Sequence, residues 1–136
     1  MIIGYTAGVF DLFHVGHVNM LKTARGLCDK LIVAVTSDEL VAYKNKKPVI
    51  CFEDRKAVVE SCKYVDIVIG QYDLDKYKAY LKIKFDLLFV GDDWYGKDQW
   101  RDLEEKISPA KIIFIPYTRS VSSTKINSIL EENRFD

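Results

Sequence analysis

The chain has 136 residues, of which 49% are hydrophobic and 29% charged, so it is long enough for one soluble globular domain but too short for two. Its 20 lysines and arginines balance its 20 aspartates and glutamates, which excludes an overall charge that attracts nucleic acid or a membrane surface. The sequence shows no signal peptide and no apolar run of membrane-spanning length, so we expect a cytoplasmic protein.

Short apolar runs alternate with helical patterns along the whole chain. In chain order the patterns predict a strand at 1–6, a helix at 15–27, a strand at 30–36, a polar loop that contains 43–48, a helix at 53–62, a strand at 65–69, a helix at 73–83, a strand at 86–90, a helix at 97–107, a strand at 111–115 and a helix at 122–132. This alternation predicts one α/β domain over residues 1–136. We expect a doubly wound, Rossmann-like fold with a five-stranded parallel sheet in the order 3-2-1-4-5.

The predicted strand order places the binding crevice. Ligands of open α/β sheets bind outside the carboxyl ends of the strands, where the order reverses, here between the first and fourth strands. The loops expected at that edge contain residues 8–17, 91–97 and 117–125, and these loops hold the least ordinary residues of the chain.

Two histidines stand at the predicted turn from the first strand to the first helix. His14 and His17 are three residues apart with Gly16 between them, where a helix amino terminus offers unpaired N–H groups to an anion. Imidazole N–H groups add donors for a phosphate. Two other readings are metal ligation, for which only Asp11 lies nearby as a third ligand, and structural histidines bonded to backbone carbonyls.

The three cysteines are Cys28, Cys51 and Cys62. Their odd number and their spacing are not typical of disulfides or of a metal site. We expect all three to be reduced, buried, small hydrophobic residues.

Three segments in order resemble motifs of a known family. They are GVFDLFHVGH at 8–17, GDDWYGK at 91–97 and YTRSVSST at 117–124. They resemble the HxGH, GDDW and RTxGISTT motifs of glycerol-3-phosphate cytidylyltransferases, within the HxGH nucleotidylyltransferase superfamily. The third segment departs from the pattern, because Tyr117 stands in the place of arginine and Ser120 in the place of glycine. Arg119 is a candidate to supply the missing guanidinium.

The resemblance implies transfer of CMP from CTP to a small phosphorylated alcohol, with glycerol 3-phosphate as the first choice and pyrophosphate as the second product. It also implies Mg²⁺ bound with the CTP phosphates, a homodimer, and a CDP-alcohol that feeds cell-surface polysaccharide or teichoic acid synthesis. The alternatives are an adenylyltransferase of the same superfamily, acting on a sugar phosphate or cofactor precursor, and a catalytically silent nucleotide-binding module.

The resemblance also assigns the catalytic residues, and it implies His14, His17, Lys44 and Asp11. The histidines would donate hydrogen bonds as charge builds on the phosphates. Asp11 would orient a histidine or the loop, and an ordinary helix cap is the competing reading.

For the nucleotide, the resemblance implies Gly8, Val9, Phe10, His14, Gly16, His17, Lys46, Asp92, Asp93, Trp94, Tyr117, Thr118, Arg119, Ser120, Val121, Ser122, Ser123 and Thr124. The carboxylates at 92 and 93 can bind ribose hydroxyls or, through water, magnesium, and Asp92 can instead cap the next helix. Ser122, Ser123 and Thr124 suit a helix start that cradles phosphates or simply caps the helix.

For the acceptor, the resemblance implies Lys44 and a further lysine between the third and fourth strands, for which Lys76 and Lys78 are both candidates. Arg55 either reaches a phosphate or pairs with Glu53 or Asp54.

Overall fold

A computed structural model describes residues 1–43, 45–92, 96–116, 118 and 123–132 of the chain, without the side chain of Ser123. Its strands are β1 (Ile3–Gly8), β2 (Lys30–Thr36), β3 (Ile67–Gln71), β4 (Leu87–Gly91) and β5 (Lys111–Ile115). All neighbouring strands pair in parallel, and the sheet has the order β3-β2-β1-β4-β5. The predicted fold class and strand order are therefore confirmed.

The helices of the described residues are α1 (Val15–Gly26), α2 (Asp38–Tyr43), α3 (Phe52–Glu60), α4 (Lys76–Ile83), α5 (Asp98–Ile107) and α6 (Ser123–Glu132). None of them combines the length and the apolar character that a membrane crossing requires.

The two faces of the sheet carry separate hydrophobic cores. Side chains alternate along β2, so Val33 and Val35 face one side and pack with Leu21 of α1. Ala34 faces the other side and packs in a cluster that includes Ile107 of α5. Helices therefore cover both faces of the sheet. A ligand can reach the central strands only at their ends.

Strands β1 and β3 continue two residues beyond their predicted ends at 6 and 69. Gly8 pairs with Val35, and Gln71 pairs with Thr36. Glycine is depleted in strands and glutamine is not enriched in them, so the sequence pattern missed these residues, but pairing with the long central strand β2 compensates. The extension matters because it brings Gln71 to the carboxyl ends of the strands, where the turn between β1 and α1 (the histidine turn) also lies.

Helix α2 is absent from the sequence prediction, which placed a polar loop after β2. The helix begins after Ser37, whose hydroxyl accepts the N–H of Leu40 at 3.2 Å, and Val41 buries its side chain. Helix α4 begins at Lys76 rather than at 73, because the Asp75 carboxylate caps it and accepts the N–H of Tyr77 at 2.9 Å.

The cysteines differ from expectation in burial. All three are free and Cys28 is buried, as predicted. Cys51 is exposed and Cys62 is half-buried, so the expectation that all three are core residues is wrong. Cys51 lies immediately before α3, at the first position outside the helix, which explains its exposure.

Candidate active site

The turn between β1 and α1 is tightly constrained. Phe10 and Leu12 adopt positive φ angles of 53° and 49°, which are uncommon for residues other than glycine. Such a conformation persists only where surrounding contacts hold it, and it is concentrated at binding and catalytic sites. The side chain of Phe10 is buried in the core and fixes one of these residues.

The two histidines hold one another through the backbone. The Nδ1 atom of His14 accepts the N–H of Gly16 at 3.0 Å, and the Nδ1 atom of His17 accepts the N–H of His14 at 3.1 Å. His14 is thereby the N-cap of α1, and the ring centroids lie 4.0 Å apart. Because each Nδ1 is an acceptor, the neutral ring carries its hydrogen on Nε2, so both Nε2 atoms are donors.

Both imidazoles are neutral at physiological pH. Burial and, to a lesser extent, the proximity of His14 lower the pKa of His17 to about 4, against the opposing effect of Asp11. Burial also lowers the pKa of His14. Phe13 stacks on the His17 ring at a centroid distance of 5.2 Å and supplies part of the apolar surroundings. The turn therefore presents two uncharged N–H donors rather than a general base.

Gly16 is required by the position of the His14 ring. A Cβ atom at residue 16 would lie 2.7 Å from Cε1 and 2.9 Å from Nδ1 of His14, and 3.6 Å from the Cβ of Thr118. The Asn19 amide also donates to the Thr118 hydroxyl at 3.0 Å. Thr118 of the third motif therefore lies against the start of α1, as the predicted crevice requires.

Asp11 joins the histidine turn to the segment that follows the polar loop at 43–48, here called the lysine-rich loop. Its carboxylate accepts the N–H of Val49 at 2.8 Å and that of Ile50 at 3.0 Å. Of the readings left open by the sequence, the structure favours a residue that orients the loop, because the N-cap of α1 is His14 and not Asp11.

Arg55 lies inside the protein and braces the site. The residue is 1% exposed, and its guanidinium donates to the carbonyls of Val9 at 2.7 Å, Thr36 at 2.8 Å and Ile50 at 2.8 Å. It also pairs with the Asp38 carboxylate at 2.6 Å, rather than with Glu53 or Asp54. The structure therefore places Arg55 as a positioning residue and does not bring it to the surface of the site.

A central cavity of about 290 Å³ opens at the carboxyl ends of β1 to β4. Of the residues predicted for the nucleotide, Gly8, Val9, Phe10 and His17 line it. Its lining also includes Thr36, Gln71, Leu74 and Lys76 at the ends of β2 and β3 and the start of α4. The cavity therefore extends from the expected crevice between β1 and β4 towards the edge strand β3.

The described lysines of the predicted site lie at different places in the structure. Lys76 lines the central cavity, whereas Lys78 is exposed and pairs with Asp73 at 3.0 Å. Lys46 lies in a second cavity, of about 490 Å³, with Lys47 and Cys51. Of the two acceptor candidates on α4, the structure brings only Lys76 to the central cavity.

The remaining predicted residues fall at or outside the limits of the described chain. Asp92 is half-buried and directly follows β4, and Thr124 is exposed in the first turn of α6. Ser123 begins α6. The predictions for Lys44, Asp93, Trp94, Tyr117, Arg119, Ser120, Val121 and Ser122 lie outside the described residues.

The sequence prediction missed Thr36, Asp38 and Gln71. Asp38 binds Arg55, and it also accepts the N–H of Phe52 at 3.1 Å. Thr36 and Gln71 line the central cavity. Thr36 ends a strand that the sequence predicted, and that position was the available signal, since α/β sheets place ligand contacts there. Gln71 lies two residues beyond the predicted end of its strand, so no such signal marked it.

Comparison with known proteins identifies what the chain is similar to. A family model described as Cytidylyltransferase-like matches residues 5–130. The glycerol-3-phosphate cytidylyltransferase of Bacillus subtilis (strain 168) is 36% identical over 122 residues, covering 89% of this chain and 91% of that protein. The FAD synthase of Pyrococcus horikoshii is 36% identical over 131 residues, covering 91% of this chain and 86% of that protein. A crystal structure of the lipopolysaccharide core biosynthesis protein from Thermoplasma volcanium GSS1 matches with a TM-score of 0.73 at 29% identity, covering 87% of this chain and 97% of that chain.

The half-buried histidine pair predicts an unusual acid titration. We expect NMR titration of the imidazole resonances to give a pKa of about 4 for His17. In the unfolded chain the same ring titrates near about 6.5, so the unfolded state binds more protons between these values. The free energy of unfolding should therefore fall as the pH decreases through this window. A His17 pKa at or above its unfolded value would contradict the proposed neutral pair.

The brace made by Arg55 predicts a large loss of stability. Replacing Arg55→Met removes the guanidinium donors of buried carbonyl oxygens and of the Asp38 carboxylate, and we expect it to lower the free energy of unfolding by roughly 3 kcal/mol. Lys56→Met is the matched control on the same helix, because Lys56 makes only a partly exposed pair with Glu60 and should cost less than about 1 kcal/mol. Urea denaturation measures both variants, and equal losses would contradict the bracing role.

Proposed function

The chain belongs to the cytidylyltransferase-like family and is a nucleotidylyltransferase, and from this premise we propose that it transfers CMP from CTP to a small phosphorylated alcohol. Glycerol 3-phosphate is the proposed acceptor, and CDP-glycerol and pyrophosphate are the proposed products. The family that the three sequence motifs predicted is confirmed, and with it the enzyme reading over a silent binding module.

The observation that carries the proposal is the pair of neutral Nε2–H donors at the β1–α1 turn, of which His17 lines the central cavity. An acceptor phosphate oxygen attacks the α-phosphorus of CTP, a new P–O bond forms, and the bond to the β-phosphate breaks, so that pyrophosphate leaves with the bond electrons. A phosphate monoester with a second pKa of about 6 is already mostly dianionic at neutral pH and needs no base. Uncharged donors suit this step, because they stabilise charge on the phosphate oxygens without removing a proton.

Lys76 supplies a cation at the central cavity, and we assign it to the phosphate of the acceptor. By resemblance, Lys44 also binds the phosphate of the acceptor, and Lys46 binds the phosphates of CTP. Asp11 binds the N–H groups at 49 and 50, directly after the lysine-rich loop, and so ties the end of that loop to the β1–α1 turn.

Mg²⁺ is the proposed cofactor, carried by the oxygens of the triphosphate, which is how Mg²⁺ is usually bound in such sites. Asp11 and Asp38, the carboxylates that border the histidine turn and the lysine-rich loop, accept hydrogen bonds from the backbone and from Arg55. Because these carboxylates already accept hydrogen bonds within the protein, we propose that the substrate phosphates rather than the protein hold the metal ion. When bound, the ion neutralises charge on the leaving pyrophosphate.

Adenylyl transfer is the second candidate, because FAD synthases are among the relatives at similar identity. Pyrophosphate release should therefore be measured with CTP and with ATP against glycerol 3-phosphate, phosphoethanolamine and flavin mononucleotide. We expect turnover with CTP and glycerol 3-phosphate; turnover restricted to ATP with the flavin phosphate would overturn the proposal.

We further propose a cytoplasmic homodimer whose CDP-alcohol product feeds cell-surface polymers. These assignments rest on the resemblance to the glycerol-3-phosphate cytidylyltransferases, such as the relative from Bacillus subtilis (strain 168).

His17→Ala should lower kcat for CMP transfer by roughly 10²–10³-fold, because one preorganised donor to the reacting phosphates is lost. The exposed residue Lys22 lies on the same helix, so Lys22→Ala is the matched control and should retain full activity. Steady-state kinetics with saturating CTP, together with circular dichroism to verify folding, measure the effect. Unchanged kcat in the folded His17 variant would remove the proposed role of the pair.

Lys76→Met and Lys78→Met decide which lysine binds the acceptor. We expect Lys76→Met to raise KM for glycerol 3-phosphate about tenfold, since a charge-assisted hydrogen bond to the phosphate is lost. Lys78→Met should change KM little, because its ammonium pairs with Asp73 at the surface. The reverse pattern would place the acceptor outside the central cavity.

A further inference from the structure

We propose that Gln71 is a specificity-determining residue whose side-chain amide donates a hydrogen bond to a hydroxyl oxygen of the acceptor, which makes the acceptor a polyol phosphate. This inference rests on the proposed CMP transfer. It concerns the part of the central cavity that is bordered by the last residues of β2 and β3, Thr36 and Gln71.

Thr36 fixes the orientation of the Gln71 amide. The two residues are register partners at the ends of neighbouring strands, and the Thr36 hydroxyl donates to Oε1 of Gln71 at 2.7 Å. The backbone of Gln71 is held as well, because its carbonyl accepts the N–H of Ser37 at 2.9 Å. Thr36 is 1% and Gln71 5% exposed, so neither side chain is free to change its rotamer without disturbing the core.

The other end of the amide faces the cavity. With Oε1 bonded to Thr36, the Nε2 atom carries two N–H groups. The described part of the chain offers this Nε2 no hydrogen-bond acceptor, and Nε2 is not among its fully buried atoms that lack a partner. A donor held at the wall of a binding cavity in this way is available for a ligand oxygen.

The charge and hydrogen-bonding character of the cavity selects the kind of acceptor. Lys76, His17 and Gln71 all present N–H donors there, and the described lining contains no carboxylate side chain. A hydroxyl group can accept a hydrogen bond from Gln71, whereas an ammonium group has no lone pair and would meet the positive charge of Lys76. The cavity therefore favours a hydroxylated phosphate ester over a phosphorylated amino alcohol.

Acceptor analogues and a Gln71→Met variant test the proposed contact together. Methionine has a similar length but no N–H group. The acceptors are glycerol 3-phosphate and two analogues that each lack one hydroxyl, 1,3-propanediol monophosphate and 1,2-propanediol 1-phosphate. Gln99→Met is the matched control, because Gln99 is exposed on α5 and does not line the central cavity.

We expect the wild-type kcat/KM to fall about 5- to 10-fold for the analogue that lacks the bound hydroxyl, as is typical for one neutral hydrogen bond. Gln71→Met should lower kcat/KM for glycerol 3-phosphate by a similar factor and have no further effect on that analogue. Gln99→Met should match the wild type on all three acceptors.

Other outcomes separate this inference from the proposed function. If Gln71→Met lowers kcat/KM equally for all three acceptors, or if the wild type prefers phosphoethanolamine, CMP transfer stands and the role of Gln71 is overturned. If CTP releases no pyrophosphate with any phosphorylated alcohol, the proposed function fails and the inference fails with it.

Poor folding of Gln71→Met would not prevent the test. Thr36→Val replaces the hydroxyl that orients the amide with a methyl group, and it should produce the same acceptor pattern with a smaller factor. The comparison of the three acceptors also requires only the wild-type protein. Equal kcat/KM for all three would overturn the inference.

Discussion

The geometry of the site depends on the buried guanidinium of Arg55. Burying a charge is costly unless hydrogen bonds and an opposite charge compensate for the lost water. Here the compensation comes from the β1–α1 turn through Val9, from the end of β2 through Thr36, from α2 through Asp38, and from the segment after the lysine-rich loop through Ile50. The charge is fully satisfied only when these segments are assembled, so one residue couples their positions.

The histidine pair gains its chemical character from the backbone around it. Amide N–H groups occupy both Nδ1 atoms and burial disfavours protonation, so the fold sets the tautomer and the charge before any ligand arrives. The amino terminus of α1 adds the partial positive charge of a helix end. Electrostatic stabilisation of this kind needs no rearrangement during reaction, and it agrees with a transfer in which positioning matters more than proton movement.

The sequence predicted the strand order, the crevice and the histidine turn, because each depends on local patterns and on chain topology. It failed where a contact across the sheet decides the outcome. Gly8 and Gln71 became strand residues through pairing with β2, and Arg55 became a buried brace through partners that are distant in sequence. The choice between Lys76 and Lys78 likewise needed the start of α4, which the Asp75 cap sets.

Asp11 and Arg55 bind the segment at 49–50 entirely through its main chain. A contact of this type is indifferent to side-chain identity, so most residue types at these positions leave it intact, and Val49 is 60% exposed. Proline is the exception, because it has no amide hydrogen to offer the carboxylate. Homologues should therefore differ widely in residue type at positions 49 and 50, but neither position should carry proline. The restriction does not apply to the neighbouring position, which is Pro48 in this chain.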